Sequence, residues 1–290
     1  MSDPLGVGLI GAGPWARMVT GPVLAAGPQT RVTGVWSRTP ENAAALAEVL
    51  GVPAFDGVDA LIDSCEAVAL AVTPDSQPAL AVRAARAGRT LLLEKPLADG
   101  VDGARAIVDA AGEAGVGTLV MLTNRFNPDL ARFLADAANL DPFGGRGCFV
   151  SGAFLGGPFA HGWRLDRGAV LDIGPHILDL LEAALGEIVD VRAAGDPLRW
   201  VSAICIHASG ATSGVSMSAT AAIEGKTEVE VYSTKGSAFY DGRVVDFAAR
   251  ADRIRSDLVA VAGGAAHPAD AAHALHLQEL IAAIEAQLRA

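Results

Sequence analysis

The first 122 residues alternate short apolar runs with longer stretches whose apolar positions recur every three or four residues. Leu5–Ile10 reads as a strand, followed by a helical stretch from Pro14 that Pro22 bends. "RVTGVW" reads as a strand and "PENAAALAEVL" as a helix stopped by Gly51. "AVALAV", "TLLL" and "GTLVML" are further strands, separated by the helical "DSQPALAVRAARAG" and "GARAIVDAAGEAG". Strand alternating with helix predicts a doubly wound parallel sheet with helices on both faces. After about Met121 the period changes. "PDLARFLADAANL" is helical, and "GRGCFVSGAFLG" is strand-like. "IVDVRAAG", "RWVSAICIHAS", "ATSGVSMSATAAI", "KTEVEVYSTKG" and "SAFYDG" then follow as alternating strands with Gly-containing turns. That pattern predicts an antiparallel meander, closed by an amphipathic helix over 269–290. The fold class is therefore α/β, with a doubly wound parallel-sheet domain over 1–121 and an α/β domain carrying a mostly antiparallel sheet over 122–290.

Composition narrows the function. An apolar fraction of 51% suits a packed core, and raises the question of a membrane. The longest uncharged run, about Trp200 to Ile223, alternates around "ASGATSG" and reads as a hairpin. "MSDPLGVGLIG" has no basic start and no long apolar stretch, so no signal peptide is expected. Twenty-two basic against 33 acidic residues give a net charge of −11, with no Lys/Arg-rich run, which argues against nucleic acid as a partner. Cys65, Cys148 and Cys205 are far apart in sequence and form no C-x-x-C pair; buried thiols in a reducing cytoplasm are expected.

Chemistry begins at "GLIGAGPWA". Gly11, Gly13 and Ala16 form G-x-G-x-x-A between a strand and a helix. Gly11 permits a tight turn, Gly13 lets a pyrophosphate approach the backbone, Ala16 keeps the helix near the strand, and Pro14 and Trp15 belong to the same loop. This is the dinucleotide-binding pattern of a Rossmann domain. The second strand ends in Ser37, Arg38 and Thr39, with no carboxylate before Glu41 to hold a ribose 2′-hydroxyl. Arg38 with two flanking hydroxyls suits a 2′-phosphate, so NADP is favoured over NAD.

"TLLLEKPLAD" ends a buried strand in Glu94, Lys95 and Pro96. Buried charge is costly unless paired or used. In a parallel sheet this edge is where ligands bind. A lysine there can exchange a proton with a substrate oxygen, and Glu94 can hold it. A second segment reads "WRLDRGAVLDIGPHILDLLEAALG". Pro175 suits the first position of a helix and Gly186 its stop. His176 would then sit at the positive end of the helix dipole, which disfavours imidazolium. Asp172 lies just ahead, where it can orient His176 or Lys95, touch a substrate hydroxyl, or cap the helix. Asp179 is expected to be structural. His161, Trp163 and Arg164 precede this segment and are candidate substrate contacts. His267, His273 and His276 have no tidy zinc spacing; solvated histidines on a helix face are expected, and no metal.

"GLIGAGPWA", "WSRTPENAAALAEVLGV", "AVTPDSQPALAVRAARAGRTLLLEKPLA", "TNRFNP" and "GAVLDIGPHILDLL" together resemble the glucose–fructose oxidoreductase / inositol dehydrogenase / rhizopine catabolism (Gfo/Idh/MocA) family over most of residues 5–240. The resemblance implies an N-terminal Rossmann domain, a C-terminal domain with a large open sheet, and NAD(P)-dependent oxidation or reduction of sugars, polyols or related carbonyl compounds. It implies Lys95, Asp172 and His176 as the catalytic set. Thr73, Pro74 and Gln77 would border the nicotinamide, Glu94 and Pro96 would flank it, and Asn124 and Arg125 would line the site. One departure is the loop after Pro74. It reads Asp75–Ser76–Gln77, where many relatives show an asparagine and a histidine. A broad sheet face left in water further predicts a homodimer or homotetramer. Two other readings remain open. A non-catalytic regulatory relative would have lost the lysine or the histidine, and both are present. An S-adenosylmethionine methyltransferase would want an acidic residue where Ser37–Arg38 stand, and would not explain E-K-P or D-x-G-x-H.

Overall fold

The computed structural model describes residues 3–289. Five strands, β1 (Leu5–Ile10), β2 (Thr30–Trp36), β3 (Ala67–Leu70), β4 (Thr90–Leu93) and β5 (Thr118–Val120), form a parallel sheet in the order β2-β1-β3-β4-β5. Every residue of β3 and β4 is buried, because helices cover both faces of a parallel sheet. The connecting helices are α1 (Gly21–Ala25), α2 (Pro40–Leu50), α3 (Val58–Asp63), α4 (Gln77–Arg86) and α5 (Val101–Ala114). Strand order reverses beside β1, the switch point where ligands bind beyond the carboxyl ends of strands.

The chain divides into two units. The first comprises the residues up to Met121 together with Ala251–Leu275; the second comprises Leu122–Arg250 and the chain from His276 onward. In the second, a 3₁₀ turn (Thr123–Phe126) leads into α6 (Pro128–Leu140), β6 (Gly144–Val150), α7 (Trp163–Arg167) and α8 (Ala169–Leu185). Five strands follow: β7 (Ile188–Asp196), β8 (Trp200–His207), β9 (Thr212–Ser218), β10 (Lys226–Ser233) and β11 (Gly236–Asp241). The sheet order is β11-β10-β6-β9-β8-β7; β6 and β9 run parallel, and the other neighbours antiparallel. The long uncharged run is the β8–β9 hairpin, and no helix among the described residues is long and apolar enough to cross a membrane. Helix α8 packs on one face of the sheet, close enough that a Cβ at Gly147 would lie 2.9 Å from Ile177. The other face leaves Trp200, Ile204, Tyr232 and Phe239 exposed.

Two helices close the chain, α9 (Phe247–Ala262) and α10 (Ala271–Leu288). The strand pattern over 226–242 gave no sign of α9. Residues 251–275 also differ from a division that assigns everything after 121 to the second domain. Ile254, Leu258 and Val261 are buried, and Arg255 donates to Gln29 Oε1 (2.9 Å) and the Val23 carbonyl (3.0 Å), so this segment packs with the first unit. Those partners lie more than 220 residues away in sequence, beyond the reach of any local pattern.

Candidate active site

The loop after β1 is built on Gly11. Its φ is +111°, and a Cβ there would lie 2.2 Å from the Ala71 carbonyl oxygen, so only glycine fits. Nothing lies within 4 Å of where a Gly13 Cβ would stand, which leaves the backbone open to a ligand. Ala16 is fully buried. The helical segment runs over 14–25, with a π turn over Ala16–Thr20 just ahead of Pro22, which has no N–H to donate. Arg17 holds this loop by donating to the carbonyls of Ala12 (2.9 Å) and Asn42 (3.1 Å); the glycine pattern does not point to it. Beyond β2, Ser37 accepts from the Thr39 N–H (3.3 Å), and Arg38 and Thr39 are exposed. These features fit a dinucleotide: a glycine turn at the switch point, open space at Gly13, and no carboxylate at the end of β2.

The segment carrying Lys95 follows β4 directly. Glu94 is buried, Lys95 half-buried, and the Lys95–Pro96 peptide is cis. Trp15 Nε1 donates to Glu94 Oε1 at 2.5 Å, tying the glycine loop to this segment. Gln77, expected to border the nicotinamide, instead faces the protein. It is 1% exposed; its Nε2 donates to the carbonyls of Glu94 (2.7 Å) and Leu97 (2.9 Å), and its Oε1 accepts from the Glu94 N–H (2.9 Å). Its carboxamide is buried against the main chain around Lys95 rather than open to a cofactor as expected. Thr73 and Pro74 form the turn into α4, with Thr73 Oγ1 donating to Ser76 Oγ (3.1 Å).

In the second unit, α8 begins at Ala169, so Pro175 lies inside the helix rather than at its start. His176 is therefore in the interior of the helix, and the dipole argument for a neutral imidazole does not apply to it. It is Asp172 that occupies the first turn. Asp172, His176 and Asp179 fall on one face, at i, i+4 and i+7, and all three are buried. The Phe149 ring lies 6.0 Å from that of His176. Arg164 Nε donates to Asp172 Oδ2 (3.3 Å), and its guanidinium sits over Trp163 (4.5 Å) and Phe159 (5.4 Å). Two aromatic faces thus hold a cation against the carboxylate. Phe159 went unremarked in the sequence; an aromatic residue five positions before an arginine carries no signal. His161 is exposed.

Arg125 was expected to touch substrate, yet its guanidinium belongs to Asp179: Nε lies 2.8 and 2.9 Å from the two carboxylate oxygens and Nη2 2.7 Å from Oδ1. Asn124 accepts from the Tyr240 hydroxyl (3.2 Å), whose acidity burial lowers, pushing its pKa up to about 12. Two of the three later histidines are also not the solvated groups expected. His276 pairs with Glu182 (2.7 Å) and His267 with Asp257 (3.3 Å). No group of three metal-ligating side chains occurs among the described residues.

Comparison with known proteins agrees with this architecture. Residues 5–122 match the model described as "Oxidoreductase family, NAD-binding Rossmann fold", and residues 145–239 match the GFO/IDH/MocA C-terminal domain. The chain belongs to this oxidoreductase family. It is 34% identical over 200 residues to a dTDP-3,4-didehydro-2,6-dideoxy-alpha-D-glucose 3-reductase of Streptomyces violaceoruber, covering 66% of this chain and 57% of the relative. It is 34% identical over 163 residues to a D-apiose dehydrogenase of Paraburkholderia graminis, covering 52% and 43%. The chain thus spans about half the length of these curated relatives. In structure it is similar to the UDP-N-acetylglucosamine 3-dehydrogenase GnnA of Acidithiobacillus ferrooxidans, with a TM-score of 0.86 at 22% identity over 99% of this chain and 98% of that one. That likeness establishes the fold alone.

Proposed function

We propose that this protein is an NAD(P)-dependent oxidoreductase acting on a hydroxyl or carbonyl carbon of a sugar, polyol or related small molecule. The observation that carries this reading is the placement of Lys95 directly past β4, in a segment hydrogen-bonded through Glu94 to the glycine loop. Gly11, Gly13 and Ala16 would hold the pyrophosphate, with Pro14 and Trp15 in the same loop. Thr73, Pro74 and Asn124 are candidate neighbours of the nicotinamide. The bound nicotinamide would supply hydride acceptance or donation at its C4. Lys95 would hold or return the proton at the substrate oxygen. His176 would share that proton, and Asp172, held by Arg164, would keep an accepting carboxylate toward a substrate hydroxyl or the imidazole. Trp163 and His161 are further candidate contacts. Sugar substrates are supported by the names of the relatives, which are sugar reductases and dehydrogenases.

Ser37, Arg38 and Thr39 favour NADP. Three free cysteines suit the cytoplasm. The exposed sheet face suits packing against a second copy of the chain.

The test is parallel titration with NADPH and NADH, followed by turnover on a panel of D-glucose, myo-inositol and UDP-N-acetylglucosamine. Tighter NADPH binding that Arg38→Ala removes is expected. Lys95→Met should keep cofactor affinity and lose turnover by about 100-fold or more. Wild-type turnover in Lys95→Met would discard the assigned role, and binding of neither nucleotide would move a non-catalytic relative to the front.

A further inference from the structure

Past Leu93, β4 runs out of partners. Its ladder to β3 ends at Leu92 and its ladder to β5 at Leu93. The main chain of Glu94–Leu97 would then be buried without a neighbouring strand, at a cost that buried peptide groups rarely bear. Gln77 takes the missing place. Its carboxamide accepts from the Glu94 N–H (2.9 Å) and donates to the Glu94 carbonyl (2.7 Å), the two-way exchange that a residue of an antiparallel neighbour makes. Its Nε2 also reaches the Leu97 carbonyl at 2.9 Å, so both ends of the turn around Lys95 and Pro96 are held by one side chain. The orientation of the amide is forced, since carbonyls surround its nitrogen and one N–H faces its oxygen. Gln77 is the first residue of α4 and 1% exposed, so its own position is fixed by packing.

The Glu94 side chain is anchored separately. Its Oε1 accepts the indole N–H of Trp15, which stands between Gly13 and Ala16 in the dinucleotide loop. Main chain and side chain of the residue preceding Lys95 are thus held by two different elements.

We infer that Gln77 and Trp15 are positioning residues for Lys95. Gln77 sets the path of the turn, and Trp15 ties that turn to the loop that receives the pyrophosphate. The inference rests on the role assigned to Lys95 above. It assigns Gln77 a function different from a direct cofactor contact, and gives Glu94 an anchor other than the lysine itself.

The test compares Gln77→Met, which keeps the length of the side chain and removes its hydrogen bonds to the main chain of Glu94–Leu97, with Trp15→Phe, which keeps an aromatic ring and removes one donor. Two readouts are taken. The first is the rate at which acetic anhydride acylates Lys95 in the folded protein, measured by mass spectrometry against the exposed Lys235 as internal reference. A several-fold change at Lys95 with no change at Lys235 is expected in both variants. The second is turnover on whichever member of the sugar panel wild type uses. Here kcat should fall about 10- to 100-fold, while KM and the NADPH dissociation constant stay within about twofold, because misplacement by an ångström costs rate more than binding. If Gln77→Met does not fold, Trp15→Phe decides alone, since its ring is half-exposed and its loss of one bond leaves the core intact. Wild-type acylation and wild-type kcat in a folded variant overturn the inference. If Lys95→Met retains turnover, it is the role of Lys95 that fails. The acylation comparison then still reads the brace independently.

Discussion

Arg125 and Asp179 form a buried charged pair in the second unit. Their side chains are 11% and 1% exposed, and the contact is bidentate. A buried pair of this kind contributes little relative to an apolar pair, but breaking one half of it leaves an uncompensated charge. Arg125→Ala is therefore expected to destabilise the second unit by about 3–5 kcal/mol in urea unfolding, and Arg125→Met with Asp179→Leu to recover most of the loss. If Arg125 instead acted as a substrate contact, its removal would raise KM and leave the unfolding midpoint in place. The sequence put Asp179 in the same helix as His176, with Asp172 just ahead of it, and read Asp179 as structural. It gave no means of pairing it with an arginine 54 positions away.

At the level of the element, α8 carries the proposed catalytic residues Asp172 and His176, and Gly168 sets where it starts. Gly168 has φ +76° and ψ −166°, a region open essentially to glycine alone. A Cβ there would lie 2.2 Å from the Pro197 carbonyl oxygen, which accepts the Ala169 N–H at 2.9 Å. Gly168→Ala should cost about 1–3 kcal/mol from backbone strain alone, seen as a lower melting temperature. It should also displace Asp172 in the first turn, so that kcat falls with NADPH affinity unchanged. A neutral result in both would mean that the start of α8 tolerates shifting. The helix was legible from its apolar stripe, but its start was placed six residues late. Proline at a helix start is the commoner arrangement, and only the packed structure shows this one tolerated inside.

For the molecule as a whole, the outer face of the second sheet has a pattern of its own. One row crosses all six strands: Phe239, Glu230, Arg146, Gly214, Ile204 and Arg192 are successive cross-strand neighbours. Arg146 and Tyr232 bond Glu230, and the tyrosine hydroxyl and the guanidinium together hold that carboxyl below its usual range. Apolar groups flank this charged centre, with Ile204 and Phe239 55% and 53% exposed. A face that is small-residued at Gly214 and apolar at its sides suits a second copy, because an isologous contact pairs such a face with itself. Sedimentation velocity over a dilution series should show an assembly that Ile204→Glu dissociates. A wild-type monomer at every concentration would sink that proposal.

Periodicity and short motifs by themselves determined the parallel sheet, the later strands, the glycine loop and the E-K-P and D-x-G-x-H segments. These are set by side-chain alternation, backbone φ and local spacing, all of which are written in neighbouring residues. Tertiary structure alone decided which partner each polar group found. It gave Gln77 to the main chain of Glu94 and Leu97, Trp15 to Glu94, Arg125 to Asp179, and 251–275 to the first unit. A buried donor or acceptor must be satisfied by whatever the fold brings beside it. That neighbour is fixed by the packing of distant elements rather than by position in the chain.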